Sequence, residues 1–245
     1  MLVPLTRQKF EQLIPRIATG DQYRYVWGKS SDFLRRLLAS VVAVVVVLLL
    51  RWLLGVGFGA LLLPFGVIGG FYWLWGPVLW ASLRNGQYRK YKYSGFFRGR
   101  ILDVYISEEL IGREETVNNR GELVYVDNLE RRLNVEVGDE TGFSIQVQVP
   151  LRRSHKGIAR RQVAEMIVLS NRADLSNITK VTDIYIPSRD IWVSDYPFLQ
   201  RDVFVEVSNR IRRDRIEAEE ESPRPPHRPP QRKEPPQLPR QDREW

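Results

Sequence analysis

Two apolar blocks sit close together near the N-terminus. Leu37 to Leu50 is apolar except for Ser40, and Trp52 to Leu83 contains no charged residue, with Arg51 alone between them. The hydrocarbon core of a bilayer is about 30 Å thick and takes roughly 20 helical residues per crossing. Residues 34–83 are therefore long enough to cross twice, and the pattern predicts a transmembrane helical hairpin over 33–83, with spans at about 34–54 and 60–83. Gly55, Gly57 and Gly59 supply the turn, since glycine accepts the backbone angles of a tight reversal. Pro64, Gly66, Gly69, Gly70, Gly76 and Pro77 predict a kinked second span, and Gly66 with Gly70 makes one small-xxx-small spacing for close helix approach.

Before the hairpin, residues 1–32 form an N-terminal segment in which Phe10, Leu13, Ile14 and Ile17 fall at helical spacing among Arg7, Lys9 and Arg16. That pattern suits a short helix lying on the membrane surface or packed on a soluble domain. Ser31 and Asp32 are the expected caps of the first span.

After the hairpin the rhythm changes to alternation. Ile101, Leu102, Val104 and Ile106; Leu123, Val124 and Val126; Leu133, Val135 and Val137; Ile145, Val147 and Val149; Met166, Ile167 and Val168; and Ile184, Ile186 and Ile191 each predict a strand. Turn residues separate them at Asn118, Asn119 and Gly121, at Asp127 and Asn128, at Gly138, Asp139 and Gly142, from Asn171 to Asp174, and at Pro187 and Ser188. The expectation for 84–212 is a mainly β domain, a small barrel or sandwich. Leu199, Val203, Val207 and Ile211 predict an amphipathic helix closing it, capped by Ser194 or Asp195 with Pro197 in its first turn. Residues 213–245 collapse into Glu, Arg, Gln and Pro, a composition that offers no core and predicts a disordered, Pro-rich charged tail.

Charge sets the orientation. Arg7, Lys9, Arg16, Arg24, Lys29, Arg35 and Arg36 precede the first span, and Arg84, Arg89, Lys90, Lys92, Arg98 and Arg100 follow the second. Positive flanks stay on the side of synthesis, so both termini are expected on the cytoplasmic or stromal face. Of the net charge of +8, almost none comes from the tail, which points the rest of the chain toward anionic lipid headgroups or acidic partners.

The first candidate site is membrane-surface contact by Arg84, Arg89, Lys90, Lys92, Arg98 and Arg100, interleaved with Tyr88, Tyr91, Tyr93, Phe96 and Phe97. Directly after a span this composition suits anionic headgroups, each cation adding about 1 kcal/mol; nucleic acid, the other reading of such a run, is not expected. A second cluster, Arg152, Arg153, Lys156, Arg160 and Arg161 around His155, reads as a docking patch for an acidic partner, as the domain's membrane face or as a solvated loop. Arg51, Trp52, Trp73, Trp75 and Trp80 are the expected interfacial anchors, and the crowding of Phe71, Tyr72 and the tryptophans suits a partner, lipid or pigment-like ligand.

The chain has no cysteine and only two histidines, His155 and His227, so no thiolate, paired-histidine or Ser-His-Asp arrangement can be drawn. No phosphate loop or dinucleotide turn occurs in context. Glu108 with Glu109, Glu114 with Glu115 and Asp139 with Glu140 fall at strand ends or turns, where charge is ordinary. No enzyme, cofactor or metal is expected.

The hairpin followed by YKYSGFFRGRILDVYISEELIGREETV, VGDETGF, QVQVPLRR and IYIPSRDIWVSDYPFLQRDVFVEV resembles a group of uncharacterised two-span membrane proteins of cyanobacteria, with candidate relatives in plastids. Automated naming sometimes calls such proteins phosphate ABC transporter permeases. The resemblance covers about residues 1–212; it implies a thylakoid or plasma membrane and carries no chemical role to any residue. The reading that unites these features is a membrane-anchored, non-enzymatic scaffold or assembly factor presenting a basic β domain to a membrane protein complex. The alternative is an accessory subunit of a membrane transporter; either leaves room for a homo-oligomer.

Overall fold

Helix comes first and sheet second, as the two rhythms require. The computed structural model describes residues 1–28, 30–117, 121–140 and 142–221; Lys29, Asn118, Asn119, Arg120, Thr141 and the tail from residue 222 lie outside the described residues. The elements are β1 (Leu2–Leu5), α1 (Arg7–Leu13), α2 (Gly20–Trp27), α3 (Ser30–Leu54), α4 (Gly59–Gly70), α5 (Tyr72–Arg89), β2 (Tyr93–Val117), β3 (Leu123–Gly138), β4 (Ser144–Pro150), β5 (Val163–Ser170), β6 (Ile178–Val181), β7 (Ile184–Ile186), β8 (Ile191–Val193) and α6 (Arg201–Glu221). Residues Met1–Glu206 make one compact unit, and from Val207 the chain belongs to a second.

Among the described residues one helix near the N-terminus, α3, is long and apolar enough to cross a membrane; α4 and α5 are so only when taken together, and they are bent by 71° where they meet. Val41, Val42, Leu48, Leu49 and Leu53 of α3 are all exposed, a continuous apolar surface of the kind that marks an interaction site. Gly55, at φ +83°, turns the chain, and α4 runs back against α3. The approach is close: a Cβ at Gly69 would lie 2.8 Å from that of Ala43, and one at Gly70 would lie 3.2 Å from Val44 Cγ2.

The bend at Phe71 leaves backbone groups open in an apolar setting, and side chains take them up. Ser40 Oγ accepts from the Trp73 N–H at 3.0 Å, and the Trp75 indole N–H donates to the Ile68 carbonyl at 2.8 Å. Without such partners each group left unmet in an apolar setting would cost on the order of 1–3 kcal/mol.

Among the described residues eight strands form one antiparallel sheet, ordered β4-β3-β2-β5-β7-β8, with β1 also on β2 and β6 also on β5. Among the described residues the path has two ends, β4 and β8, which no hydrogen-bonded ladder joins, although Val149 of one and Val193 of the other share the core. It wraps one core in which Val135, Val149, Met166, Ile184 and Val193 from successive strands meet.

Several boundaries differ from the periodicity reading. The N-terminal segment opens with β1, which pairs with β2; Ser31 and Asp32, expected as caps, lie inside α3; and Glu108 and Glu109 lie within β2, opposite Arg131 and Glu130 of β3, and not at a strand end or turn. Asp127 and Asn128 do not turn the chain: β3 runs straight through them, because Asp127 faces Arg113 on β2 at 2.9 Å and a bulge at Leu110/Gly112 adjusts the register. Nor do Ser194, Asp195 and Pro197 open the last helix. The Phe198 and Leu199 N–H groups donate to the buried Asp183 carboxylate at 3.1 and 3.2 Å, and Gln200 N–H donates to the Leu13 carbonyl at 2.8 Å. Tertiary acceptors hold this segment extended, and helix begins only at Arg201.

β2 and β3 outrun their neighbours. β5 pairs with β2 only over Tyr93–Arg100, and β4 pairs with β3 only over Arg132–Gly138. The remainder, Glu108–Val117 with Leu123–Arg131, is a two-stranded ribbon.

Candidate functional site: a basic groove beside α2 and α5

The C-terminal half of α5 is welded to α1, α2 and the 195–200 segment by two polar knots. In the first, Thr19 caps α2 and its third helical residue, Gln22, reaches back in a capping box. The Gln22 amide is fully buried and fully used: Oε1 accepts from Thr19 N–H at 3.1 Å and from Asn85 Nδ2 at 2.7 Å, while Nε2 donates to the carbonyls of Pro197 and Phe198 at 2.9 and 3.2 Å. Asn85 Nδ2 donates also to the Pro15 carbonyl at 3.0 Å. Each bond is worth about 1 kcal/mol net, but breaking one leaves a buried partner unmet at about 1–3 kcal/mol.

The second knot centres on Glu11. Arg7 Nε reaches its carboxylate at 2.8 Å and Arg89 Nη2 at 2.9 Å. The Arg7 hydrogen bond, with help from Arg89, holds the Glu11 carboxyl below the usual range. Arg89 also donates to the carbonyls of Glu11 and Ile14, and Arg7 to those of Arg89 and Tyr91. Phe10, Leu13 and Ile14 are buried, so the apolar face of α1 packs into protein and only Ile17 stays exposed.

Beside this weld an open groove of about 780 Å³ is lined by Tyr25, Val26, Trp80, Leu83, Arg84 and Lys90. A second hollow of about 350 Å³, lined by Arg7, Arg16, Arg89 and Lys90, shares Ser82, Gly86 and Lys90 with it. Apolar and aromatic residues toward Trp80 thus give way to cations toward Lys90. Arg84 lies over the rings of Tyr196 and Tyr25, at 5.0 and 5.9 Å from their centroids. Burial pushes the Tyr196 hydroxyl up to about 12, against the opposing pull of Arg84; burial and then Asp195 raise that of Tyr25. Both rings stay neutral platforms across the physiological range.

The structure sorts the residues singled out from sequence. Arg84 and Lys90 line the groove; Lys92 and Arg100 are exposed near it in the chain. Arg89 is turned inward with its side chain 10% exposed, and Arg98 lies 3.6 Å from Glu165 on the neighbouring strand. Neither is a surface cation of the kind its position in a basic run suggests. In the second cluster Arg160 is held by Asp103 at 2.6 Å and Arg152 donates to the Asp195 carbonyl, leaving Arg153, Lys156 and Arg161 as exposed cations around the buried His155. Burial and Arg152 lower the His155 pKa, and its Nδ1 accepts the Arg152 N–H.

Of the expected anchors, Arg51 and Trp52 sit exposed at the end of α3, and Trp80 is exposed with its indole N–H on the Tyr72 hydroxyl. Trp73 packs edge-on against Trp27 and Phe33, and Trp75 patches the helix break; these two hold the protein's own fold together. Sequence reasoning missed Gln22, Asn85 and Tyr25 as members of the site. The Thr19-x-x-Gln22 capping box was the one local signal available.

A family model covering residues 3–217 matches nearly all of this architecture. The chain belongs to DUF8619, a family of unknown function. No curated protein and no solved structure matches it.

Proposed function

We propose that this DUF8619 member is a membrane-anchored, non-enzymatic scaffold or assembly factor. In this reading α3 and the bent α4–α5 pair form a two-span hairpin, both termini lie on the cytoplasmic or stromal side, and the basic β domain is presented to a membrane protein complex. The observation that carries the reading is the weld: three residues, 90–92, separate α5 from β2, and the Gln22–Asn85 and Arg7–Glu11–Arg89 knots fix the junction. A tethered domain that only needed proximity would do with a loose linker; a rigid one holds a bound partner at a set orientation to the bilayer. The groove supports the same reading, since Trp80 and Leu83 beside Arg84 and Lys90 suit an acyl chain and an anionic headgroup. The transporter-subunit alternative draws less support, because Ser40 is engaged with the Trp73 backbone. The resemblance to cyanobacterial two-span proteins supports a thylakoid or plasma membrane as the scaffold's setting in this reading.

Tagged protein purified from native membranes in mild detergent tests the reading. A stoichiometric membrane complex on native gels and in mass spectrometry is expected; recovery of the chain alone would overturn it. Protease added to right-side-out vesicles should leave the C-terminal tail intact, and digestion of the tail would overturn the hairpin topology.

A further inference from the structure

The ribbon of β2 and β3 exposes two backbone edges that differ in character. The β2 edge carries, by sequence, Glu108, Glu109, Glu114 and Glu115, and it is kinked by the bulge at Leu110/Gly112. Charge and bulges are the usual means of keeping a strand edge from pairing. The β3 edge has neither over Leu123–Leu129: the run LVYVDNL contains one charged residue, Asp127, already met by Arg113 of the same ribbon. Its side chains are bare, with Leu123 71% exposed, Tyr125 67%, Leu129 55% and Val126 52%. Two strands alone are marginal in water, and a third strand or a covered face is what makes such a ribbon stable.

We infer that the β3 edge of the ribbon is a self-association surface, Leu123–Leu129 pairing antiparallel with the same segment of a second copy about a twofold axis at Val126. An isologous contact requires a self-complementary surface. In this register Leu123 meets Leu129, Val124 meets Asn128, Tyr125 meets Asp127 and Val126 meets itself, so no like charges oppose each other within the segment. Just outside the segment Glu130 meets Glu122 of the second copy, a like-charge pair at each end that the binding of Glu130 by Arg132 at 2.9 Å weakens. An anionic bilayer is a poor alternative cover: residues 106–129 hold six acidic side chains, Glu108, Glu109, Glu114, Glu115, Glu122 and Asp127, against Arg113 and Arg120. The inference is independent of the scaffold reading, since it concerns only how two copies meet.

The chain lacks cysteine, so a single introduced thiol reports one contact cleanly. Full-length Val126→Cys in membranes, oxidised or treated with a short bis-maleimide, should give a product of twice the chain mass, while Thr116→Cys on the β2 edge should stay monomeric. Light scattering of the detergent-solubilised wild type should show a dimer, and Val126→Lys, which sets two cations face to face, should weaken it at least about tenfold. A monomeric wild type, a dimer untouched by Val126→Lys, cross-linking through residue 116 in place of 126, or a Val126→Cys product containing a different protein would each overturn the inference.

Discussion

Asp183 is a carboxyl buried at 1% exposure whose two oxygens each accept one backbone N–H, from Phe198 and Leu199. Burial penalises its charged form more than those two donors favour it, and its pKa rises from the ordinary 3.8 to about 7. Between those values the folded chain keeps a proton that the unfolded chain has released. The linkage sign follows: Asp183 contributes most to stability below about pH 4, and that contribution is lost as pH climbs through about 7. A shift of about three pH units at about 1.4 kcal/mol each comes to about 4 kcal/mol. In a domain of this size that is roughly 10 °C in Tm. The measurement is thermal unfolding of the full chain in detergent from pH 4 to pH 8, followed by tryptophan fluorescence, for wild type and Asp183→Asn. The amide cannot ionise, so the variant should lose this part of the slope. Its NH₂ would face one of the two N–H donors, a constant penalty of about 1–3 kcal/mol. Equal slopes for the two proteins would show that the carboxyl is either ionised throughout or not held as described.

Other outcomes follow from the same geometry. Gln22→Leu should lower stability by about 2–4 kcal/mol by leaving one Asn85 Nδ2–H and the Pro197 and Phe198 carbonyls without the partners they have now, and thermal unfolding would read it. Ser40→Val should cost about 1–3 kcal/mol through the unmet Trp73 N–H, whereas Ser40→Thr should be close to neutral if its hydroxyl takes the same bond. Gly69→Val should push α4 off Ala43 and lower expression or stability in detergent. Replacing both Arg84 and Lys90 with Gln should weaken flotation with anionic liposomes by about 1 kcal/mol per charge and leave binding to neutral ones unchanged; an equal loss on both would argue against the groove as a headgroup site.

Sequence alone determined the elements whose cause is local and one-dimensional. The apolar run makes α3, because lipid or a dry interface is the only stable setting for it and helix the only backbone that needs no outside partner there. Alternation at period two marks the strands, and the absence of thiols closes off their chemistry. Tertiary structure decided what depended on a partner distant in the chain. Asp127 and Asn128 carry turn chemistry, yet β3 passes through them because Arg113 lies opposite. Ser194 and Pro197 read as a helix start, but Asp183 and Leu13 claim the N–H groups that a helix would have used. Arg89 and Arg98 belong to a basic run by sequence, and only the positions of Glu11 and Glu165 turn them inward. The unpaired edge of the ribbon could not be read from the sequence either, since a strand's residues state its faces but not which neighbours end before it does.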